Sequence, residues 1–225
     1  SRLAWKKPST LTHEEGATLG VGLATAGVIL FESFGFPTEL NNADITNSNI
    51  LVWGGSTVVG IYLTQLASIL GLNVYVIAGK NHHEYLSMMG AKKVIDRNLA
   101  YAEIRRNLPE NIHFGVDCVS KETSFSLLNI LSYNKAVIGQ FSGIVSVPKD
   151  NIPPNVLIKE VVIKKFHEDV SFGRRIVAFT ENLLHSGILK PAKIKSYSGG
   201  LEQLNNGLRD LEILGAHGEK FVVSL

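Results

Sequence analysis

The chain has a single cysteine, Cys118, among 225 residues. That scarcity excludes an internal disulfide and a cysteine-rich zinc site, and it fits a reducing compartment, so a cytoplasmic location is expected. Charge of one sign is also lacking. Twenty-two Lys and Arg stand against 20 Asp and Glu, a formal net charge of +2, and the cations are scattered along the chain. No electrostatic footprint for nucleic acid follows from such a distribution. Long hydrophobic runs are absent too. The longest apolar stretch, from Ala17 to Leu30, is broken by Thr18, Gly20, Gly22, Thr25 and Gly27 and is too short to span a bilayer. Neither nucleic acid nor a membrane is therefore an expected partner.

Several chemical patterns are missing as well. No Walker lysine follows Gly60, which removes the NTPase reading, and no Tyr-x-x-x-Lys pair occurs. "THEEG" lacks the second histidine of a zinc-binding helix, the adjacent His82 and His83 would point to different sides of a helix, and "FHEDV" reads as a solvated loop. No metal site is expected. Cys118, with apolar neighbours, reads as a small buried hydrophobe. Asp117 beside it either faces a ligand at a strand end or caps the following turn.

The length allows one full domain with part of a second. "THEE", residues 12–15, matches a capping box, so a helix should start there and run through "GATLGVGLATAGVILFESF" until Gly35 and Pro37 end it. Its apolar surface and interspersed small residues predict close packing on another element. From residue 49 the text alternates. Strand-like runs at 50–53, 74–78, 93–96, 113–119, 136–140 and 156–165 are separated by helix-like stretches at 57–71, 82–89, 99–108 and 121–131. Such alternation implies right-handed crossovers and a parallel sheet covered on both faces, an α/β Rossmann fold with six strands. A further helix over 171–186 carries Ile176, Phe179, Leu183 and Leu184 on one face and closes at Gly187; the end adds one amphipathic helix and a final strand.

"LVWGGSTVVG", residues 51–60, reads as strand, glycine turn and helix start. In a GxGxxG turn the first glycine makes the bend, the second admits the pyrophosphate and the third lets helix pack on strand. Gly55 and Gly60 hold the first and third places, and Thr57 holds the second. Ser56 and Thr57 supply hydroxyl donors, and the amides of Val58 and Val59 open the helix, where the dipole favours an anion. Position in a six-strand run gives this weak pattern its weight. At the end of the second strand, where an acid would hold the ribose hydroxyls of NAD, stand Gly79, Lys80, Asn81 and His82, with Arg97 at the neighbouring strand end. A cation at that place suits the extra phosphate of NADP, so NADP is the expected cofactor.

The segments "THEEGATLGVGLATAGVILFESFGF", "ILVWGGSTVVGIYLTQLASILGLNVYVIAGKN", "MMGAKKVIDRN", "HFGVDCVS" and "GEKFVVSL" resemble the medium-chain dehydrogenase/reductase superfamily. Within it they look most like the zinc-independent quinone and enoyl reductases, especially the fungal trans-acting enoyl reductase and toxin-cluster reductase type. The resemblance implies that the "GGST" hydroxyls meet the cofactor phosphates and that Thr25 lies near the nicotinamide. It also implies that the backbone around Gly139, after the fifth strand, lines the nicotinamide pocket and that Lys220 lies close to the cofactor. The chain departs from the family pattern at Gly79 to His82, where the cation is moved by one position, and at Arg97, where many relatives carry tyrosine; both changes keep the site cationic.

The same resemblance implies a C-terminal fragment lacking most of a GroES-like domain. Residues 1–12 would be a remnant of substrate domain and linker, 13–190 the NADP-binding domain with its leading helix, and 191–225 the return segment of the catalytic domain. The expected function is an NADPH-dependent, zinc-independent oxidoreductase acting on an activated alkene, quinone or enoyl-type carbonyl compound. Its small-molecule substrate and proton donor are not named by any residue. A homodimer through the sixth strand, at 161–165, is the expected assembly. The alternative is a non-catalytic NADPH-binding module or regulatory partner.

Overall fold

The computed structural model describes residues 3–38, 40 and 45–225; the first two residues of the expected segment 1–12 lie outside that set. Thr12 forms the expected capping box: its hydroxyl accepts from the Glu15 amide at 3.1 Å, and its own amide donates to the Glu15 carboxylate at 2.8 Å. The helix it starts, α1 (His13–Ala17), is short. Thr18 closes it by donating its hydroxyl to the Glu15 carbonyl, and α2 (Gly20–Gly27) follows, continued by a wider π turn over Val28–Ser33. The small residues of α2 do what their spacing predicts. A Cβ on Gly22 would lie 2.5 Å from Val58 Cγ1, so glycine is what lets this helix approach the next one.

The strands β1 (Asn49–Trp53), β2 (Asn73–Ala78), β3 (Lys93–Asp96), β4 (Phe114–Asp117), β5 (Gly139–Gly143) and β6 (Val156–Ile158) form one parallel sheet in the order β3-β2-β1-β4-β5-β6. Between them run α3 (Val58–Ile69), α4 (His83–Met88), α5 (Tyr101–Arg106) and α6 (Lys121–Leu131). The Rossmann expectation therefore holds. Because alternate residues of a strand face opposite sides, β1 feeds two cores. Ile50 and Val52 join Leu23, Ile29, Leu63 and Ile176 on one face; Leu51 and Trp53 join Ile77, Leu127 and Phe141 on the other. Each fully buried side chain of this kind stabilises the fold by about 1.5–3 kcal/mol.

Two strands differ from the sequence reading. The fifth begins at Gly139, because the run before it is a turn: the Asn134 side chain accepts from the Ala136 amide and the Asn134 carbonyl from the Val137 amide. The sixth stops at Ile158. Beyond it the Ser142 hydroxyl takes the Lys159 carbonyl and the Ser33 hydroxyl takes that of Glu160, so these groups never enter a ladder. Residues 161–165, expected as the strand of a dimer edge, are not strand; a short helix, α7 (Lys165–Glu168), begins at their end. The "FHEDV" segment thus falls on a helix, and Asp169 caps α8 (Val170–His185) by accepting from the Phe172 amide.

After α8 the chain forms β7 (Lys193–Ser198), α9 (Leu204–Leu214) and β8 (Glu219–Ser224), with β7 and β8 paired in a separate parallel sheet. The polar alternation of β7 gives little strand signal, since its partner lies across α9. Leu204, Leu208, Leu211 and Leu214 recur at helical spacing on α9 and remain exposed. Among the described residues no helix is long and apolar enough to cross a membrane.

Candidate functional site

In an open parallel sheet ligands bind beyond the carboxyl ends of the strands, where the strand order reverses. Here that point lies between β1 and β4. Two adjoining cavities of about 530 and 410 Å³ open there, sharing Ser56, Thr57, Arg97 and Asn98. The larger is lined by the end of β2 and by the loop before β8; the smaller by Trp53, Ala78, Val119 and Thr123.

The turn between β1 and α3 is shaped by contact distances. A Cβ on Gly55 would lie 2.0 Å from Val76 Cγ1, and one on Gly60 would lie 2.4 Å from the Gly54 carbonyl oxygen. Both glycines are therefore demanded by packing. Gly54 takes the left-handed φ of 87° that turns the chain from strand to helix. Thr57 is the N-cap of α3: its hydroxyl donates to the Gly54 carbonyl at 2.8 Å and accepts from the Gly60 amide at 3.0 Å. A hydroxyl with both roles filled is not free to donate to a phosphate. That leaves Ser56 as the hydroxyl available in the crevice, beside the Val58 and Val59 amides, which have no acceptor among the described residues.

This assignment has a direct test. Thr57→Ala should lower the melting temperature by about 2–4 °C through loss of a cap worth about 1 kcal/mol. Thr57→Ser should restore it. An unchanged melting temperature in Thr57→Ala would show that the hydroxyl contributes nothing to the helix start.

Lys80 and Arg97 converge, as their strand-end positions predict. Arg97 Nε lies 3.8 Å from where a Gly79 Cβ would stand, and both cations line the larger cavity. Lys80 Nζ sits 3.8 Å from Asp96, whose other oxygen accepts from the Asn98 amide; the lysine side chain stays 78% exposed. Among the described residues, Glu219 is the one carboxylate residue lining the larger cavity. Burial draws the His82 imidazole below its usual pKa, and the nearby His217, Arg97, Lys193 and His83 add to the effect.

Other candidate positions are not brought together with these. Thr25 is buried in α2 with its hydroxyl donating to the Val21 carbonyl at 2.7 Å, and it lines neither cavity. Lys220 lies in β8 opposite Ile194, one residue beyond the lining. Gly139 begins β5 instead of following it, so it lies at the strand's amino end, away from the crevice. The carboxyl end is Gly143, where a Cβ would approach the Ser146 carbonyl oxygen to 2.3 Å. Asp117 caps a turn, accepting from the Val119 and Ser120 amides. Cys118 is buried, and burial pushes its thiol up to about 12. Among the described residues no cluster of His, Cys, Asp and Glu suits a metal ion.

Sequence reasoning missed the contribution of residues 215–218. A Cβ on Gly218 would lie 3.4 Å from the Ser56 carbonyl oxygen, so this loop rests on the phosphate turn. The glycines of "GAHGE" were the only local signal, and they do not say what the loop touches.

No protein-family model matches the chain. The trans-enoyl reductase fsa3 of Fusarium sp. (strain FN080326) is 27% identical over 238 residues, covering 98% of this chain and 67% of the relative. Among solved structures, the CurF ER cyclopropanase of the curacin A biosynthetic pathway superposes with a TM-score of 0.78 at 21% identity, covering 97% of this chain and 64% of that one. A putative NADPH:quinone reductase from Bacillus thuringiensis gives 0.76 at 17% identity, covering 94% and 64%. These structures share the fold, and the chain spans about two thirds of the length of the curated relatives it matches.

Proposed function

We propose that the chain belongs with the enoyl and quinone reductases of the medium-chain dehydrogenase/reductase superfamily, to whose members it is similar over nearly its whole length, and that it is the NADPH-holding part of a zinc-independent reductase. Its substrate would be an activated alkene, a quinone or an enoyl-type carbonyl compound. The observation that carries the reading is the larger cavity: two cations, Lys80 and Arg97, beside a helix N-terminus with two unused amides.

Each charged group of the coenzyme would have partners among these residues. Val58 and Val59 would hold the pyrophosphate through their amides, with the Ser56 hydroxyl as a further donor. Lys80 and Arg97 would hold the 2′-phosphate by charge-assisted hydrogen bonds. The smaller cavity, walled by Val119, Ala78 and Thr123, suits the adenine ring. When bound, NADPH supplies the hydride. The chain's own part is to fix the coenzyme's position and to surround its phosphates with donors already in place, so that no reorganisation is needed on binding.

A fluorescence titration of the chain with NADPH and, in parallel, with NADH tests the proposal. NADPH should bind at least about ten-fold more tightly, since a single charged hydrogen bond contributes about 1.5–3 kcal/mol. Equal affinity for the two coenzymes would overturn the NADP assignment. No binding of either would overturn the coenzyme-binding role itself.

A further inference from the structure

We propose that His82 and His217 form a proton-coupled arm of the coenzyme's 2′-phosphate site, so that entry of the phosphate draws a proton onto this pair from solvent. The inference rests on the NADP reading above.

Three segments far apart in sequence meet at this point: the Ser56 turn, the end of β2 at Gly79 to His82, and the loop Gly215 to Gly218. A Cβ on Gly218 would lie 3.3 Å from both Nδ1 and Cε1 of His82, so the loop backbone lies directly against that imidazole. His217, next to it, lines the same cavity with a left-handed φ of 44°, flanked by Gly215 and Gly218 at 76° each. Histidine is among the few side chains that adopt this region with any frequency.

Cations gather around His82. Arg97 faces it from the end of β3 and Lys193 from β7, Lys80 lines the same cavity, and two further imidazoles, His217 from the loop and His83 next in sequence, stand nearby. Two carboxylates oppose them: Glu219 at the start of β8, and Asp96, which is already engaged by Lys80. In this setting, with its pKa drawn down, His82 is uncharged near neutral pH. A phosphate reverses the balance, because an opposite charge at close range favours the protonated imidazole.

The sign of the proton exchange separates this device from an ordinary cation site. A phosphate monoester has its second ionisation near pH ~6, so fixed cations alone would expel a proton from it on binding. Histidines that gain a proton give net uptake instead. The contribution is complete below the lowered pKa of free His82 and is lost as pH rises through its raised pKa in the complex. NADPH affinity should therefore fall by about ten-fold for each unit by which binding raises the His82 pKa, over a window that opens below the usual histidine value of pH ~6.5 and closes at the raised pKa of the complex.

Calorimetric titration of the chain with NADPH at neutral pH, in two buffers of different ionisation enthalpy, reads the proton balance directly. Net uptake is expected with NADPH and none with NADH. His217→Asn keeps a residue that accepts the left-handed backbone, and His82→Asn keeps a polar side chain. Each should reduce the uptake and flatten the pH dependence, with a melting temperature like that of the parent. NADPH binding accompanied by proton release or by no exchange overturns the proton-coupled arm and leaves the NADP reading standing, as does uptake unchanged in both variants. Failure of NADPH to bind at any pH overturns both.

Discussion

Gly60→Ala is expected to lower the melting temperature by about 6–12 °C and to abolish coenzyme binding. The added methyl would stand 2.4 Å from the Gly54 carbonyl oxygen, 2.7 Å from Gly55 Cα and 3.0 Å from the Gly55 carbonyl carbon. All three are backbone atoms, so no rotamer change relieves the clash. The first turn of α3 must move away from the end of β1. Overpacking of a buried site costs about 1–3 kcal/mol and sometimes more, and this contact belongs at the upper end because nothing flexible can yield. In a chain of this size each kcal/mol shifts the melting temperature by about 2–4 °C. The same displacement disorders the Val58 and Val59 amides, which is why binding fails together with stability. Gly20→Ala is the control. It also lies in a helix, but a Cβ there meets nothing within 4 Å. It should be neutral or stabilising by up to about 1 kcal/mol. If circular dichroism melts found the two variants alike, close approach would not be the reason for glycine at position 60.

Removing the two cations should produce the largest effect on coenzyme choice. The double variant Lys80→Ala with Arg97→Ala is expected to weaken NADPH binding by at least about 100-fold, from two charged hydrogen bonds of about 1.5–3 kcal/mol each, and to leave NADH nearly unchanged. The single variants should not be equal. Lys80 also neutralises Asp96, so Lys80→Ala leaves an unpaired carboxylate beside the incoming phosphate, whereas Arg97→Ala leaves the Lys80 to Asp96 pair in place. Lys80→Ala should therefore be the more damaging. Salt should blunt both effects, because Lys80 and Arg97 are exposed and screened by solvent ions. Equal weakening of NADPH and NADH in the double variant would assign the cations to the pyrophosphate or to the fold, and would remove the argument for NADP.

The parts of this molecule that were legible in sequence are those governed by local chemistry. The alternation of apolar runs and helical stretches named all six strands of the sheet, because a strand buried on both faces must be apolar along its length, as Ile50, Leu51 and Val52 are. Thr12 and Glu15 announced a helix start because a capping box is complete within four residues. That Lys80 and Arg97 would stand near one another was legible for a similar reason: neighbouring parallel strands end at the same edge of the sheet.

What the sequence misstated lies where individual side-chain hydrogen bonds decide. The limits of β5 and β6 depend on Asn134, Ser142 and Ser33, whose hydrogen bonds take backbone groups out of the ladder. Gly139 was carried to the wrong end of its strand by a three-residue shift of β5. Thr57 read as a phosphate donor until its hydrogen bonds to Gly54 and Gly60 showed the hydroxyl already in use.

By itself, then, the sequence determined the doubly wound sheet, the glycine turn and the cationic strand ends, since burial pattern, helix capping and charge are properties of short stretches of chain. Only the tertiary structure decided which donors remain free, where Gly139 stands, and that the loop carrying His217 rests against His82 and Ser56. The last is a matter of distance between residues more than 100 positions apart, and the first two turn on hydrogen bonds that residue type alone does not fix.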